Sequence, residues 1–301
     1  MQKIIFIVGP TSSGKTEVAI SLAEKLGGEI ISCDSMQVYR GMDIITRPPG
    51  EKLLSRVPHH LIKSISPDEE YSAARFVEEA TRLIEDIISR KKTPVIAGGT
   101  GLYMKSLIDG LFSSPPKDED LRKELEEEAH RQGNEALYKR LEEVDPGTAS
   151  ALHPNDLRRV IRALEVYELS GETIHEKKKE SSGIGDKYDC KIFGMDFPRE
   201  VLYGRINETV DQMFSEGLVE EVKRLREQPL SKTAGKALGI KEVCAFLDGR
   251  EGFDEMTEEL KKNTRKYAKR QLTWFRADER VEWVDANRDV NDITGDILGR
   301  L

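Results

Sequence analysis

Cysteine is almost missing from this chain: Cys33, Cys190 and Cys244 stand alone among 301 residues. No C-x-x-C pair occurs, so neither a zinc site nor a disulfide framework is expected, and the composition suits a reducing cytoplasm. Long hydrophobic runs are missing too. Nothing approaches the ~18 consecutive apolar residues that a membrane span requires, and no membrane partner is expected. The apolar run at residues 4–8 is too short for a secretory leader. Positive charge is not in surplus either. Forty-seven Lys and Arg against 55 Asp and Glu give a net charge of −8, so any nucleic-acid surface must be concentrated locally. Internal repeats and low-complexity tracts are absent. With 38% hydrophobic and 34% charged residues, the chain is a polar globular protein with length for one large or two ordinary domains.

Against these absences one segment is rich in meaning. Gly9-Pro10-Thr11-Ser12-Ser13-Gly14-Lys15-Thr16 fits the phosphate-binding loop G-x-x-x-x-G-K-[ST]. The apolar run Ile4-Ile5-Phe6-Ile7-Val8 precedes it and a helical pattern over 15–26 follows, which is the strand–loop–helix context the motif needs. Glycines let successive N–H groups turn inward as an anion nest, and the helix adds the positive end of its dipole. Lys15 supplies a point charge to the outer phosphates and Thr16 can hold a magnesium ion. The chain therefore binds a phosphorylated ligand.

Short β-branched runs recur at 3–8, 29–33, 61–65, 94–97, 191–195 and 281–284, with helical patterns between most of them, notably 71–89 and 100–108. This alternation predicts a doubly wound parallel sheet. The pattern breaks at Ser113-Ser114-Pro115-Pro116, which reads as a linker. Residues 118–131, 134–143 and 154–169 are helical in pattern, and Ser181-Ser182-Gly183-Ile184-Gly185-Asp186 reads as a second linker. The fold class expected is α/β: a phosphate-loop (P-loop NTPase-like) parallel core at 1–116 and 189–301, with an all-helical domain inserted at 117–188.

Several residues then become candidates. Asp34 follows the second strand, at the sheet edge where ligands bind in open parallel sheets. A carboxylate there can take a proton from substrate or organise a metal; alternatively it caps a turn. The 94–97 strand ends in Gly98-Gly99-Thr100, where an NTP-hydrolysing enzyme would present a metal-binding Asp. Small residues here let a second substrate approach, and Thr100 can donate to it or cap the next helix. Arg158, Arg159 and Arg162 share one helix of the insertion. Lys261, Lys262, Arg265, Lys266, Lys269 and Arg270 form two adjoining stripes at fourfold spacing, followed by Gln271-Leu272-Thr273-Trp274-Phe275-Arg276. A basic stripe is often only a solvated face, but aromatics beside it suit nucleic acid. His59 and His60 lack ligand spacing and read as loop or core histidines.

Several of these motifs together resemble one family. Gly9–Thr16, Asp34-Ser35-Met36-Gln37-Val38-Tyr39-Arg40-Gly41-Met42-Asp43-Ile44, and Gly98-Gly99-Thr100-Gly101-Leu102-Tyr103 are similar to the tRNA dimethylallyltransferases (tRNA isopentenyltransferases). So are His153-Pro154-Asn155-Asp156 with Arg159 and Arg162-Ala163-Leu164-Glu165, and Lys269 through Arg276. The likeness runs through nearly the whole chain. It implies transfer of a dimethylallyl group from dimethylallyl diphosphate to N6 of the adenine 3′ of the anticodon, with Mg²⁺ assisting on Thr16. Gly9, Pro10, Thr11, Ser12, Ser13, Gly14, Lys15 and Thr16 would then hold a diphosphate leaving group. Asp34 would be the base, with Thr100, Lys15 and Arg205 in the catalytic set. Asp34, Ser35, Met36, Gln37, Thr100, Arg122, Arg158, Arg159, Arg162, Lys236, Lys241, Lys269, Arg270, Gln271, Trp274 and Arg276 would face the tRNA anticodon stem-loop. A cytoplasmic monomer is expected. Three positions depart from the family pattern: Thr209 where arginine is common, Ile240 where tyrosine is, and Ile45 where glycine is. The zinc finger of some relatives is absent.

Two other functions fit parts of the same sequence. A small-molecule kinase would share the loop, the following Asp and the Gly-Gly strand end, but leaves 261–276 unexplained. A non-catalytic RNA-binding module would use the loop only as a sensor.

Overall fold

The computed structural model describes residues 1–112 and 115–301; the first half of the expected linker, Ser113 and Ser114, lies outside the described residues. Six strands form one sheet: β1 (Lys3–Val8), β2 (Glu29–Ser32), β3 (His59–His60), β4 (Pro94–Gly98), β5 (Asp189–Asp196) and β6 (Val281–Asp285), in spatial order β3-β2-β4-β1-β5-β6. Every pairing is parallel. β1 lies inside, between β4 and β5, which explains why Ile4 through Val8 are all buried. An uninterrupted β-branched run suits a strand covered on both faces. Each such side chain contributes roughly 1.5–3 kcal/mol when fully buried.

The helices follow the expected patterns closely. Lys15–Leu26 forms directly after the loop. Ala73–Ser89 begins at Ser72, whose hydroxyl accepts from the Arg75 N–H, and buries Phe76, Ala80, Ile84 and Ile87 as one stripe. The one misplaced strand is the third. A run at 61–65 was the expectation, yet Leu61 and Lys63 have φ of 60° and 48° and cannot continue a ladder. The strand is the preceding His59–His60 pair, and 65 makes only an isolated bridge to Tyr39. The histidines serve the sheet. His60 Nε2 lies 2.8 Å from Glu29, whose buried carboxylate also takes Arg90 and Lys92, and Arg90 holds its pKa far below the usual carboxylate range.

The chain divides into two compact units, residues 1–108 with 187–301, and residues 109–186. The helical unit thus begins at 109 rather than 117. The cause is local: the Ser181 hydroxyl donates to the Asp109 carbonyl, and a Cβ on Gly110, whose φ is 84°, would meet the Ser182 carbonyl at 2.4 Å. Entry and exit of the unit run side by side, too close for any side chain at 110. Its core gathers Leu125, Leu137, Leu141, Val160, Ile161 and Leu164 from three helices, Glu119–Gln132, Asn134–Val144 and Leu157–Ser170.

Fully buried Glu165 sits at that core. Arg122 grips it with two bonds of 2.8 Å, Arg162 adds one of 2.5 Å, and the Asp118 N–H another of 2.8 Å. Burial alone would raise its pKa, but these donors prevail and bring it from 4.5 to about 2. The stabilisation is therefore complete above pH 4.5 and drains away as pH falls toward 2 and below. Its size is about 3 kcal/mol. Glu165→Ala should destabilise the helical unit by about 3–5 kcal/mol, because two guanidinium groups lose a buried partner. Thermal melts followed by circular dichroism between pH 7 and 2 should show the unaltered protein converging on the variant only at the acid end.

Candidate active site

The phosphate loop hangs from the carboxyl end of β1, at the centre of the sheet. Ser12 and Gly14 adopt left-handed φ of 61° and 70°, turning successive N–H groups inward. Gly14 leads into the Lys15–Leu26 helix. Lys15 Nζ donates to the Pro10 carbonyl at 3.1 Å. Burial pushes its pKa down, while the Asp34 carboxylate pulls it back up. The loop thus contains a cation stripped of much of its water. Ser13 Oγ is buried with no hydrogen-bond partner among the described residues. Both features are what an arriving polyanion would satisfy.

Residues 11–17 line a cavity of about 690 Å³ with Asp34, Met36, Gln37, Arg205 and Thr209. The rest of the wall is mixed: Ile45, Leu53, Val210, Met213, Leu238 and Leu260 stand among Arg47, Glu208, Gln212, Lys236 and Arg270. One cavity therefore combines an anion nest with a set of apolar side chains. The size lies in the range of small-molecule sites. Asp34 fulfils the turn-capping reading. Its Oδ1 caps a turn, accepting the N–H groups of Met36 (2.9 Å) and Gln37 (3.3 Å). Its Oδ2 has no protein donor among the described residues, and the residue lines the cavity. Arg205 lies over the Phe197 ring at 4.5 Å. Thr209, the residue that replaces a common arginine, places its hydroxyl 3.1 Å from that of Ser12. Thr16, Asp34 and Glu17 offer only oxygen donors to the cavity, a set that fits a hard cation such as magnesium.

Two expectations need correction. Gly98 and Gly99 do not clear space for a second substrate. A Cβ at Gly98 would meet the Cys33 carbonyl at 2.0 Å, and one at Gly99 would meet Gln271 Nε2 at 2.2 Å. Gly101 in turn lies under the Trp274 ring. The small residues admit the chain's own atoms: the Cys33 backbone at 98 and the Gln271 and Trp274 side chains at 99 and 101. Gln271 is correspondingly not a surface group. It is buried on the Phe253–Arg276 helix, accepts the Thr11 N–H at 2.9 Å and donates to the Gly99 carbonyl at 2.9 Å. Thr100 has its hydroxyl on the Ser35 N–H at 3.1 Å, beside rather than in the cavity wall.

The basic residues also divide. Arg122 and Arg162 are engaged with Glu165, and Arg276 with Asp196 at 3.1 Å. On the long helix, Lys261 pairs with Asp211, Lys262 with Glu259, and Arg265 bonds Asn207. Lys266, Lys269 and Arg270 are exposed and without a carboxylate partner among the described residues, as are Lys236, Lys241 and Arg158. Arg159 is exposed and touches Asp156 at 3.3 Å. Trp274 remains 37% exposed beside them. Two contributors had no sequence signal. Tyr267 lines the cavity within the basic stripe. Glu221, in an amphipathic helix, buries its carboxylate on the N–H groups of Ile44 and Ile45.

An α/β phosphate-loop protein with a cavity at the loop is the class this geometry defines. The family model described as IPP transferase matches residues 37–278. A tRNA dimethylallyltransferase of Geobacter sulfurreducens is 49% identical over 295 residues, 97% of this chain and 94% of that protein. The tRNA isopentenylpyrophosphate transferase structure from Bacillus halodurans is 42% identical, with a TM-score of 0.72 over 100% of this chain and 97% of that one. A eukaryotic dimethylallyltransferase captured acting on tRNA is 30% identical with a TM-score of 0.81, over 100% of this chain and 77% of that one. The chain belongs to the IPP transferase family, the tRNA dimethylallyltransferases.

Replacing Gln271 by Leu should keep the volume but strand the Thr11 N–H and the Gly99 carbonyl, at about 1–3 kcal/mol each. Calorimetric titration with inorganic diphosphate should show affinity falling at least tenfold (about 1.4 kcal/mol) as the loop loosens.

Proposed function

We propose that this protein moves a dimethylallyl group from dimethylallyl diphosphate to N6 of the adenine just 3′ of the anticodon in tRNA, working as a cytoplasmic monomer. One observation carries the reading: the phosphate loop, Asp34 and a set of apolar side chains share a single cavity. No described helix is long and apolar enough to cross a membrane.

In the reaction, N6 attacks C1 of the dimethylallyl group as the C1–oxygen bond to diphosphate breaks. The leaving group takes the bonding pair, and negative charge grows where Lys15, Arg205 and the loop N–H groups stand. Stabilisation placed where charge develops lowers the barrier more than equal binding of the ground state would. Thr16, with Asp34 and Glu17 in reach of the same space, would hold the magnesium, which neutralises phosphate charge when bound. Adenine N6 is a poor nucleophile because its lone pair is delocalised into the ring. Asp34 Oδ2 accepts the N6 proton and completes the balance: one N–C bond formed, one C–O bond broken, one proton on a carboxylate. The Oδ1 turn contacts hold that carboxylate still. The base must leave its stack to reach the cavity. Lys236, Lys241, Lys266, Lys269 and Arg270 offer unpaired charge to the phosphate backbone, and Arg158 does so from the helical unit. Trp274 provides an exposed ring for a base.

The test incubates the protein and magnesium with an unmodified anticodon stem-loop and either labelled dimethylallyl diphosphate or labelled ATP. Label from the prenyl donor should appear on one adenine. ATP turnover with no prenyl transfer would sink the proposal. Asp34→Asn should cut transfer by about 10²–10⁴-fold while a filter-binding assay finds stem-loop affinity within twofold.

A further inference from the structure

We infer that Ile45 is the residue that limits the length of the prenyl group, an inference that rests on the proposed prenyl-donor reading of the cavity. The Arg199–Ser215 helix runs along the cavity as a ruler. Its Thr209 touches Ser12 of the phosphate loop, 3.1 Å between hydroxyls. Three residues on, Gln212 accepts from Arg47 at 2.9 Å, and Glu216 at the helix end pairs with the same guanidinium. At 1.5 Å of rise per residue, those two positions stand roughly 4–10 Å beyond Thr209 along the axis. The Arg47 guanidinium, on the wall segment that also carries Ile45, is therefore held about that far along the axis from the phosphate loop.

Hydrocarbon lengths match this span. With ~1.5 Å per C–C bond, a five-carbon prenyl group reaches roughly 4–5 Å from its ester oxygen and a ten-carbon group roughly 9–10 Å. The first fits in front of the segment; the second must pass through it.

Ile45 cannot step aside. The Glu221 carboxylate, only 2% exposed, holds the Ile45 N–H at 2.8 Å and the Ile44 N–H at 3.0 Å. Gln37 Nε2 donates to the Arg47 carbonyl at 3.1 Å. Behind the side chain lies Gly239, with φ of 110°, where even a Cβ would sit 3.4 Å from Ile45 Cγ1 and Cδ1. Ile45 is β-branched and stiff at χ1. Met213, the neighbouring wall residue one turn past Thr209, is unbranched and adaptable. The rigid boundary is thus Ile45.

The experiment compares kcat/KM for dimethylallyl and geranyl diphosphate on the same stem-loop. In Ile45→Ala the geranyl-to-dimethylallyl ratio should rise at least tenfold over the unaltered protein, in line with what a few methylenes contribute to discrimination in an apolar pocket. Ile45→Val, which keeps the branch and therefore the fold, should give a smaller rise of about threefold. Ile45→Phe should depress dimethylallyl kcat/KM while the Kd for inorganic diphosphate stays within twofold. A ratio unchanged within twofold in both Ile45→Ala and Ile45→Val overturns the inference and leaves the proposed reaction standing. Failure of the unaltered protein to use dimethylallyl diphosphate overturns both.

Discussion

Gln271 spends both ends of one buried carboxamide on two different parts of the sheet edge. Its oxygen takes a phosphate-loop N–H and its nitrogen feeds the carbonyl beyond β4. A buried amide is tolerable only when both halves are satisfied, so this side chain ties three segments to one geometry: the loop after β1, the turn after β4, and the Phe253–Arg276 helix. Gly99 is the other half of the same arrangement, since a Cβ there would sit 2.2 Å from Gln271 Nε2. The exposed Lys269, Arg270 and Trp274 flank Gln271 on the helix. Their distance from the anion nest is therefore set by a rigid connection rather than by loop packing. A substrate that must present a phosphate-bearing backbone outside and one base inside would need that fixed offset.

Much of this was legible in the chain because it is local. The β1–loop–helix unit is written in contiguous residues, and its strand, motif and helix occupy the expected places. The alternation of strands and helices gave the parallel sheet, and the run without strand candidates gave the helical unit. What escaped depends on partners remote in sequence. The resemblance makes Arg122 and Arg162 tRNA ligands, but both are engaged with Glu165, a partner identified only by its burial and 43 residues from Arg122. Lys261 is likewise cancelled by Asp211 on another helix. Gln271 sits in a motif of charged and aromatic residues and shares their polar appearance, yet it points inward. The third strand failed for a different reason. Hydrophobicity marks 61–65, but two positive φ values, which composition does not reveal, exclude it from the ladder.

The departures from the family pattern acquire physical content in the same way. Thr209 gives up a possible guanidinium but joins its hydroxyl to Ser12 and donates to the Arg205 carbonyl at 2.7 Å. It braces the loop instead of charging it. Positive charge at the diphosphate then falls to Lys15, Arg205 and the backbone. Because burial already disfavours the charged form of Lys15, binding a polyanion relieves an existing electrostatic strain in addition to creating a new contact.

That strain also couples the two halves of the proposed reaction. Before a donor arrives, the main compensating charge for Lys15 is Asp34. A diphosphate in the nest would supply further compensation from the other side, in the same cavity that Asp34 lines. Burial of Tyr267 pushes its phenol pKa up, and Asp34 pushes it further, so that neighbour stays neutral and does not compete as an anion. The position beside the loop where nucleotide hydrolases hold a metal-binding carboxylate is occupied here by the amide of Gln271. The available carboxylate comes from β2 instead, one strand further out. In the proposed reaction that displacement sets the base apart from the strand that carries the phosphate loop, which suits transfer to an incoming amine better than hydrolysis of the anhydride itself.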